Sequence, residues 1–187
     1  MKIVLGSASP RRSELLRQMG YDFRIVKADC SEEFDESDTP EQIVLSIAQQ
    51  KAEALQNELA PNELLICADT IVYLANEVIG KPADEEDAMH LLHKLSGKKH
   101  DVFTGVILSY NGTSKSFYVK TSVYFRELTS NEIAHYVTNY QPLDKAGSYG
   151  IQDWIGFIGV EKIEGSYTNV MGLPTQELYL ALQDFKA

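Results

Sequence analysis

The chain has only two cysteines, Cys30 and Cys67, among its 187 residues. Two cysteines without a matching spacing motif make neither a disulfide framework nor a zinc site, so we expect reduced thiols and a cytoplasmic protein. No apolar run approaches the roughly 20 residues that a membrane-spanning helix needs, and the N-terminus lacks a signal-peptide pattern. The sequence therefore predicts no membrane partner.

Positive charge is also scarce, because 17 Lys and Arg stand against 27 Asp and Glu, for a net charge of −10. Surfaces that bind nucleic acid polymers are basic, so we expect no such partner. A local basic pocket for a small phosphorylated substrate remains compatible with this balance. Between Asp29 and Glu63 there are ten acidic residues and one basic residue, Lys51, which makes this isolated cation a candidate site residue.

Apolar residues make up 44% of the chain, enough for a sizeable core, and we expect a single domain over residues 1–187. Apolar patterns and turn signals predict strands near 2–6, 22–27, 64–74, 77–80, 101–110 and 114–126. They predict helices near 10–19, 40–59, 84–95, 129–139 and 174–185. The strand at 64–74 is expected to be interrupted at residues 68–70, and no element is predicted in the glycine-rich stretch 142–172. With a hairpin at Asn111-Gly112, this mixture indicates an α/β domain with a mixed sheet.

The most informative stretch is residues 4–12, Val-Leu-Gly-Ser-Ala-Ser-Pro-Arg-Arg. It is typical of a buried strand, a small-residue turn containing Ser7, and a helix that begins at Pro10. Free N–H groups at a helix N-terminus favour phosphate, and the guanidinium groups of Arg11 and Arg12 can bind phosphate oxygens bidentately. The alternative is an ordinary strand–turn–helix with two exposed arginines.

Asp69 lies within the apolar run from Leu64 to Val72. Because burying an unpaired carboxylate is costly, we expect Asp69 to be paired, bound to a metal, or at a strand end that faces a cleft. The alternative is a buried aspartate that caps a turn through Thr70.

Two further loops carry candidate residues. Lys81, between Gly80 and Pro82, is a point charge in a rigid setting that suits a phosphate contact, or else a solvated loop lysine. The segment 144–152 ends in Gln152, whose amide can read a base edge. Its alternative is a glycine-rich loop around a packed Tyr149.

Eight short blocks follow one another along the chain: Ser7–Arg12, Lys51-Ala52, Ala68–Thr70, Gly80–Pro82, Ser96-Gly97, Thr104-Gly105, Asp144–Gly147 and Asn169–Pro174. Each block is weak alone, but in this order, from about residue 3 to residue 182, they resemble the Maf family of nucleoside triphosphate pyrophosphatases. The resemblance implies a fold like that of inosine triphosphate pyrophosphatases, with a strongly twisted mixed sheet, flanking helices, and two lobes with a central cleft. It also implies a homodimer.

The resemblance implies hydrolysis of a nucleoside triphosphate to the monophosphate and pyrophosphate, with Mg²⁺ or Mn²⁺ as the divalent metal. Asp69 matches the catalytic proton acceptor. The same match implies a role in substrate choice for Arg12, Thr70 and Gln152. It also implies that the active site is lined by Arg11, Glu32, Lys51 and Lys81. We expect phosphate contacts from Ser7, Arg11, Arg12, Lys51 and Lys81, and metal contacts from Glu32 and Asp69. Glu33 and Asp35 compete with Glu32 for its position.

Within the family, Lys145–Gly147 followed by Tyr149–Gln152 resembles the branch that acts on dTTP and UTP, whereas a branch that prefers 7-methyl-GTP lacks this block. The resemblance then implies dTTP and UTP, or a modified pyrimidine nucleotide, as the substrate. Asp153-Trp154 departs from the family pattern, in which a glycine usually follows the Gln. The competing hypotheses are a nucleotide-binding regulator of cell division or septum formation without turnover, and a purely structural protein. A sensor has little need of the carboxylates of Glu32 and Asp69, which favours catalysis.

Overall fold

The computed structural model describes residues 2–35 and 37–185. The strands are β1 (Lys2–Leu5), β2 (Phe23–Ile25), β3 (Glu63–Leu74), β4 (Glu77–Ile79), β5 (Lys99–Tyr110), β6 (Thr113–Phe125) and β7 (Val160–Glu164). The helices are α1 (Pro10–Gln18), α2 (Pro40–Ala54), α3 (Glu85–Leu95), α4 (Ser130–Tyr140), α5 (Trp154–Gly159), α6 (Tyr167–Val170) and α7 (Thr175–Gln183). Within these described ranges, no helix is long and apolar enough to cross a membrane.

The strands form one sheet in the order β2-β1-β3-β5-β6-β7, and β4 pairs with β3. β1 runs parallel to both β2 and β3, while the β3–β4 and β6–β7 pairs are antiparallel. The predicted mixed sheet is therefore confirmed. Asn111 and Gly112 connect β5 to β6 with positive φ angles of 49° and 78°, as a type I′ hairpin turn requires.

The chain divides into two compact units. Unit 1 draws on the stretches Met1–Thr70, Thr104–Val119 and Gly172–Ala187, and unit 2 on Ile71–Phe103 and Lys120–Met171. β3, β5 and β6 therefore each contribute residues to both units.

In unit 1, α2 begins at a capping box in which Thr39 and Gln42 satisfy each other's backbone N–H groups, as the Thr39-Pro40 signal predicts. The helix ends at Ala54 and a short 3₁₀ turn follows at Gln56–Glu58, so the helix predicted to residue 59 is too long. One face of α2 is buried: Ile43, Val44, Ile47, Ala48, Lys51 and Ala52. Helical spacing thus places Lys51 on the apolar face, among residues that pack on the sheet.

Gly105 lies where β5 passes closest to α2 in unit 1. A Cβ built on Gly105 would stand 2.6 Å from both the carbonyl carbon and the oxygen of Val44. We expect Gly105→Ala to lower the free energy of unfolding by about 1–3 kcal/mol, because backbone cannot yield as a side chain can. Chemical denaturation measures this loss. Gly80→Ala is the control, because a Cβ at Gly80 meets nothing within 4 Å, and equal stability of the two variants would contradict the prediction.

Unit 2 has its own core, in which β4, α3, α4 and α5 pack around a cluster that includes Leu92, Phe125, Ile133 and Ile155. The prediction that no element lies in residues 142–172 is wrong, since α5, β7 and α6 all form there. Gly156 does not break α5. Its missing side chain lets the helix approach Ile151, whose carbonyl oxygen would stand 2.0 Å from a Cβ.

Candidate active site

The β1–α1 turn in unit 1 has the strand–turn–helix form that the sequence predicts. Gly6 N donates to Ile66 O at 2.8 Å, and a Cβ at Gly6 would stand 2.4 Å from Cys67 Sγ, so β1 and β3 approach closely here. The Ser9 side chain caps α1 by accepting from the backbone N–H of Arg12. Ser9 N donates to Ser7 Oγ at 3.1 Å, and this hydrogen bond fixes the buried Ser7 hydroxyl within the β1–α1 segment.

Arg12 is buried and holds three separate segments of unit 1. Its Nε donates to Gly172 O at 2.8 Å, Nη1 to Ser7 Oγ at 3.3 Å and Nη2 to Thr70 Oγ1 at 3.0 Å. Desolvation by burial lowers the pKa of Arg12, while the nearby Asp69 carboxylate opposes that shift. The alternative of two exposed arginines is therefore wrong for Arg12.

Thr70 lies next to this guanidinium group. Its Oγ1 is 2.9 Å from Thr104 Oγ1 and 3.5 Å from Gly172 O. The structure thus brings together Arg12 and Thr70, both predicted to set substrate choice. Thr104 and Gly172 complete the cluster. Each stands in one of the eight sequence blocks, but the sequence predicts no site role for either.

Asp69 is in the interior of β3, which runs without interruption through residues 63–74. The predicted break at residues 68–70 is therefore wrong, and so are the capped turn and the strand end. The expectation of pairing is confirmed, because Lys51 Nζ lies 2.6 Å from Asp69 Oδ1. Each of the two residues is only 9% exposed, so this is a buried ion pair between α2 and β3.

Lys51 also contacts a second carboxylate, because its Nζ lies 2.9 Å from Glu32 Oε1. The two competitors for the position of Glu32 make other contacts. Glu33 O accepts from Gln50 Nε2 at 2.6 Å, and Asp35 Oδ1 accepts from Ser37 N and Oγ. Of these three acidic residues, Glu32 is therefore the one that contacts Lys51. Its φ angle of 53° is in the left-handed region, which is uncommon for a glutamate.

The carboxylates of Glu32 and Asp69 are possible ligands for a divalent metal ion. In the part of the chain that the structure describes, no group of three or more His, Cys, Asp or Glu side chains could hold a metal ion. Mg²⁺, however, is commonly bound through one or two carboxylates together with substrate phosphates and waters. Glu32 and Asp69, joined by the same ammonium group, fit a metal held jointly with a triphosphate. Their role as ligands stays a prediction.

Cys67 is buried two residues before Asp69. Desolvation raises the pKa of the Cys67 thiol to about 12, although Lys51 and Arg12 oppose the shift. The thiol therefore stays uncharged at neutral pH, and it is neither a nucleophile nor a counter-ion for Lys51.

Three candidates remain: Arg11, Lys81 and Gln152. Arg11 is half-exposed at the start of α1 in unit 1. Lys81 is exposed between β4 and α3, and Gln152 is half-buried just before α5, both in unit 2. The predicted phosphate contacts of Arg11 and Lys81 and the predicted base contact of Gln152 stay predictions.

The sequence profile of a family described as Maf-like protein matches residues 2–185. Proteins named dTTP/UTP pyrophosphatase are similar over nearly the whole chain. The one from Bacteroides fragilis is 52% identical and that from Phocaeicola vulgatus is 52% identical, each match covering 97% of this chain and 95% of the relative. The one from Flavobacterium psychrophilum is 44% identical, with coverages of 97% and 93%.

Among solved structures, the Staphylococcus aureus Ham1 protein is similar with a TM-score of 0.53 and 16% identity, over 100% of both chains. A HAM1 protein from Coxiella burnetii is similar with a TM-score of 0.50 and 15% identity, over 98% of this chain and 99% of that one. These likenesses concern the fold, and they confirm the α/β fold that the sequence predicts. Family profile, near-complete coverage and identities of 44–52% agree: the chain belongs to the Maf family.

Proposed function

We propose that the protein hydrolyses dTTP and UTP to the monophosphate and pyrophosphate. The observation that carries this proposal is the buried Asp69 carboxylate. Asp69 forms an ion pair with Lys51, and its negative charge opposes the lowering of the Arg12 pKa by burial. The names of the similar proteins, dTTP/UTP pyrophosphatase, support the reaction and the choice of nucleotide. A modified pyrimidine nucleotide fits the same chemistry.

The phosphate groups would be held by cations. Arg11 and Lys81 would neutralise part of the triphosphate charge, whereas the charge of Lys51 is already paired with the Asp69 and Glu32 carboxylates. Arg12 is engaged with three protein acceptors, so we assign it the orientation of the Ser7 turn and of Thr70. Phosphoryl-type transfer depends mostly on such positioning and charge stabilisation.

Asp69 would act as the general base. Lys51 occupies Oδ1, so Oδ2 is the oxygen that takes a proton from the attacking water. The water oxygen bonds to the α-phosphorus, the bond from that phosphorus to the bridging oxygen breaks, and pyrophosphate leaves with the electron pair. A divalent metal held by Glu32 and Asp69 would supply further neutralisation of the triphosphate charge.

Base choice would rest on Gln152. Uracil and thymine share an N3–H donor next to the O4 acceptor, and a carboxamide offers one acceptor oxygen and an NH₂ donor. Among the described residues, the buried Oε1 atom of Gln152 has no hydrogen-bond partner, so no protein hydrogen bond of this oxygen is lost when the side chain turns toward an N3–H group. Cytosine lacks that donor, so this pairing discriminates against CTP.

The test is pyrophosphate release from dTTP, UTP, CTP, dGTP, ITP and 7-methyl-GTP with Mg²⁺ or Mn²⁺. We expect selective release from dTTP and UTP, with the monophosphate as co-product. Turnover of 7-methyl-GTP in their place would keep the reaction but contradict the assigned branch. Tight binding without release would favour a nucleotide-binding regulator.

Replacing Gln152 with Ala is expected to lower kcat/KM for dTTP and UTP by about tenfold, the effect of one lost hydrogen bond of about 1.4 kcal/mol. The loss for CTP is expected to be smaller, since cytosine has no N3–H to donate. Steady-state kinetics of the variant measure both losses. Gln18→Ala is the control, because Gln18 is an exposed residue of α1, and an equal loss for all nucleotides would mean that Gln152 does not contact the base.

The proposal includes a homodimer and a cytoplasmic location. The resemblance to the Maf family supports the dimer, and light scattering of the purified protein measures the mass that tests it. Cys30 and Cys67 are free thiols, which agrees with a reducing compartment.

A further inference from the structure

Tyr136 of α4 is buried and contacts the loop that carries Gln152. Its hydroxyl donates to Asp153 Oδ2 at 2.7 Å and accepts from Gly150 N at 3.0 Å. Gly150 and Asp153 stand on either side of Gln152 in the chain. One hydroxyl group therefore holds both flanks of the predicted base-reading residue, all within unit 2.

The loop of residues 147–153, here called the Gln152 loop, adopts a backbone that its sequence does not favour on its own. Gly147 and Ser148 are consecutive residues with φ angles of 68° and 59°, and a serine rarely adopts the left-handed region. The loop also closes tightly on itself, because a Cβ at Gly150 would stand 2.4 Å from Asp153 Oδ2. Such a conformation persists only where contacts outside the loop fix it.

Hydrogen bonds from outside the loop hold it at several points. Gly147 N donates to Gly80 O at 2.9 Å, and Tyr149 shares a hydrogen bond of 2.8 Å with His100 Nε2 on β5. Tyr136 holds Gly150 and Asp153 at the other end. Within the described part of the chain, Ser148 Oγ and Gln152 Oε1 are buried atoms with no hydrogen-bond partner. The loop therefore keeps its shape while leaving polar groups unsatisfied, which is rare among buried polar groups in native structures.

We propose that Tyr136 is a positioning residue for base recognition, which holds Gln152 in place through Gly150 and Asp153 without contacting the nucleotide. The inference rests on the proposed function, since it deepens the role of Gln152. Burial, reinforced by the hydrogen bond to Asp153, raises the pKa of Tyr136, so the hydroxyl keeps its proton and donates at every physiological pH. Asp153, which departs from the usual family pattern, is then the acceptor through which this chain fixes the loop.

The decisive variant is Tyr136→Phe, which removes the hydroxyl and keeps the ring. We expect kcat/KM for UTP to fall about tenfold, mainly through a higher KM, because two hydrogen bonds that orient Gln152 are lost. The rate with a weak purine substrate, ITP, is expected to stay unchanged, so discrimination between UTP and ITP falls by the same factor. Tyr140→Phe is the matched control, because Tyr140 is on the same helix, stacks on Tyr136 with ring centroids 5.1 Å apart and is exposed.

Asp153 provides a second, independent pair of variants. Asp153→Asn keeps an oxygen that accepts from the Tyr136 hydroxyl, and we expect discrimination close to that of the unaltered protein. Asp153→Ala removes the acceptor and is expected to reproduce the loss in Tyr136→Phe. If Tyr136→Phe fails to fold, judged by thermal unfolding, the comparison of the two Asp153 variants decides.

Binding measured by calorimetry separates this inference from the proposed function. We expect the affinity for UMP to fall about tenfold in Tyr136→Phe, while the affinity for pyrophosphate, which contains no base, stays unchanged. Absence of turnover in the unaltered protein would overturn the proposed reaction and leave the UMP comparison valid. Equal losses for UTP and ITP, equal losses for UMP and pyrophosphate, or the same loss in Tyr140→Phe would each overturn the role of Tyr136.

Discussion

Asp69→Asn is expected to reduce kcat for UTP by about 10²–10⁴-fold, the usual contribution of a general base. Asparagine has nearly the same shape, and its side-chain oxygen can still accept from Lys51 Nζ, which lies 2.6 Å from Asp69 Oδ1. The variant should therefore fold, but its amide cannot take the proton of the attacking water. Pyrophosphate release at saturating Mg²⁺ and Mn²⁺ measures the loss.

Glu32→Gln and Glu33→Gln serve as companions to this variant. Glu32 contacts Lys51, so we expect Glu32→Gln to weaken activation by the metal, visible as a higher metal concentration at half-maximal rate. Glu33 engages Gln50 through its backbone oxygen, so Glu33→Gln should retain activity. Full turnover by Asp69→Asn would remove Asp69 from the role of base.

Lys51→Met is expected to lower the free energy of unfolding by about 3–5 kcal/mol, the typical result of removing one partner of a buried ion pair. Methionine fills much of the same space on the apolar face of α2, so the loss comes from the Asp69 carboxylate left without its partner. The exposed side of the site moderates the effect, because the Glu32 side chain is 44% exposed and water reaches that carboxylate. Urea denaturation measures the change, and activity should be lost as well.

Lys27→Met is the control for this second prediction, because Lys27 is an exposed lysine of the same unit. A double variant, Lys51→Met with Asp69→Leu, should recover much of the stability without recovering activity, since apolar residues of similar volume often replace a buried ion pair at little cost. If Lys51→Met were as stable as Lys27→Met, the ion pair would have no structural role.

Sequence patterns predicted β1 and the start of α1 well, because both depend on local signals. The cap at Ser9, the proline at position 10 and the apolar run of β1 lie within nine residues, and each follows from short-range geometry. β3 was harder, because Ala68 and Asp69 have low strand propensity and indicated a break. β3 nevertheless runs through both residues, and the Asp69 carboxylate is satisfied by its ion pair with Lys51, which is a tertiary contact.

Long-range contacts also explain what the sequence did not predict in the site. Sequence spacing alone does not predict that Lys51 forms an ion pair with Asp69, which is 18 residues later. Lys51 was a candidate only because it is isolated among acidic residues. The glycines of residues 142–172 indicated loops, whereas the packing of Gly156 against Ile151 makes α5 possible. A glycine that a neighbour's backbone requires cannot be distinguished from a flexible one without the fold.

The three hydrogen bonds of Arg12 have a consequence for how the protein is made. They join residues 5, 58 and 160 positions away, so the Arg12 cluster closes only when Gly172 has joined the strands formed by the first 70 residues. Contacts of such long sequence separation form slowly, because loop-closure entropy is lost before they form. During synthesis, the first residues of the site must leave the ribosome well before the residue that completes them. A nascent chain therefore exposes this polar turn without its last partner, and the Arg12 cluster closes only after Gly172 has been made.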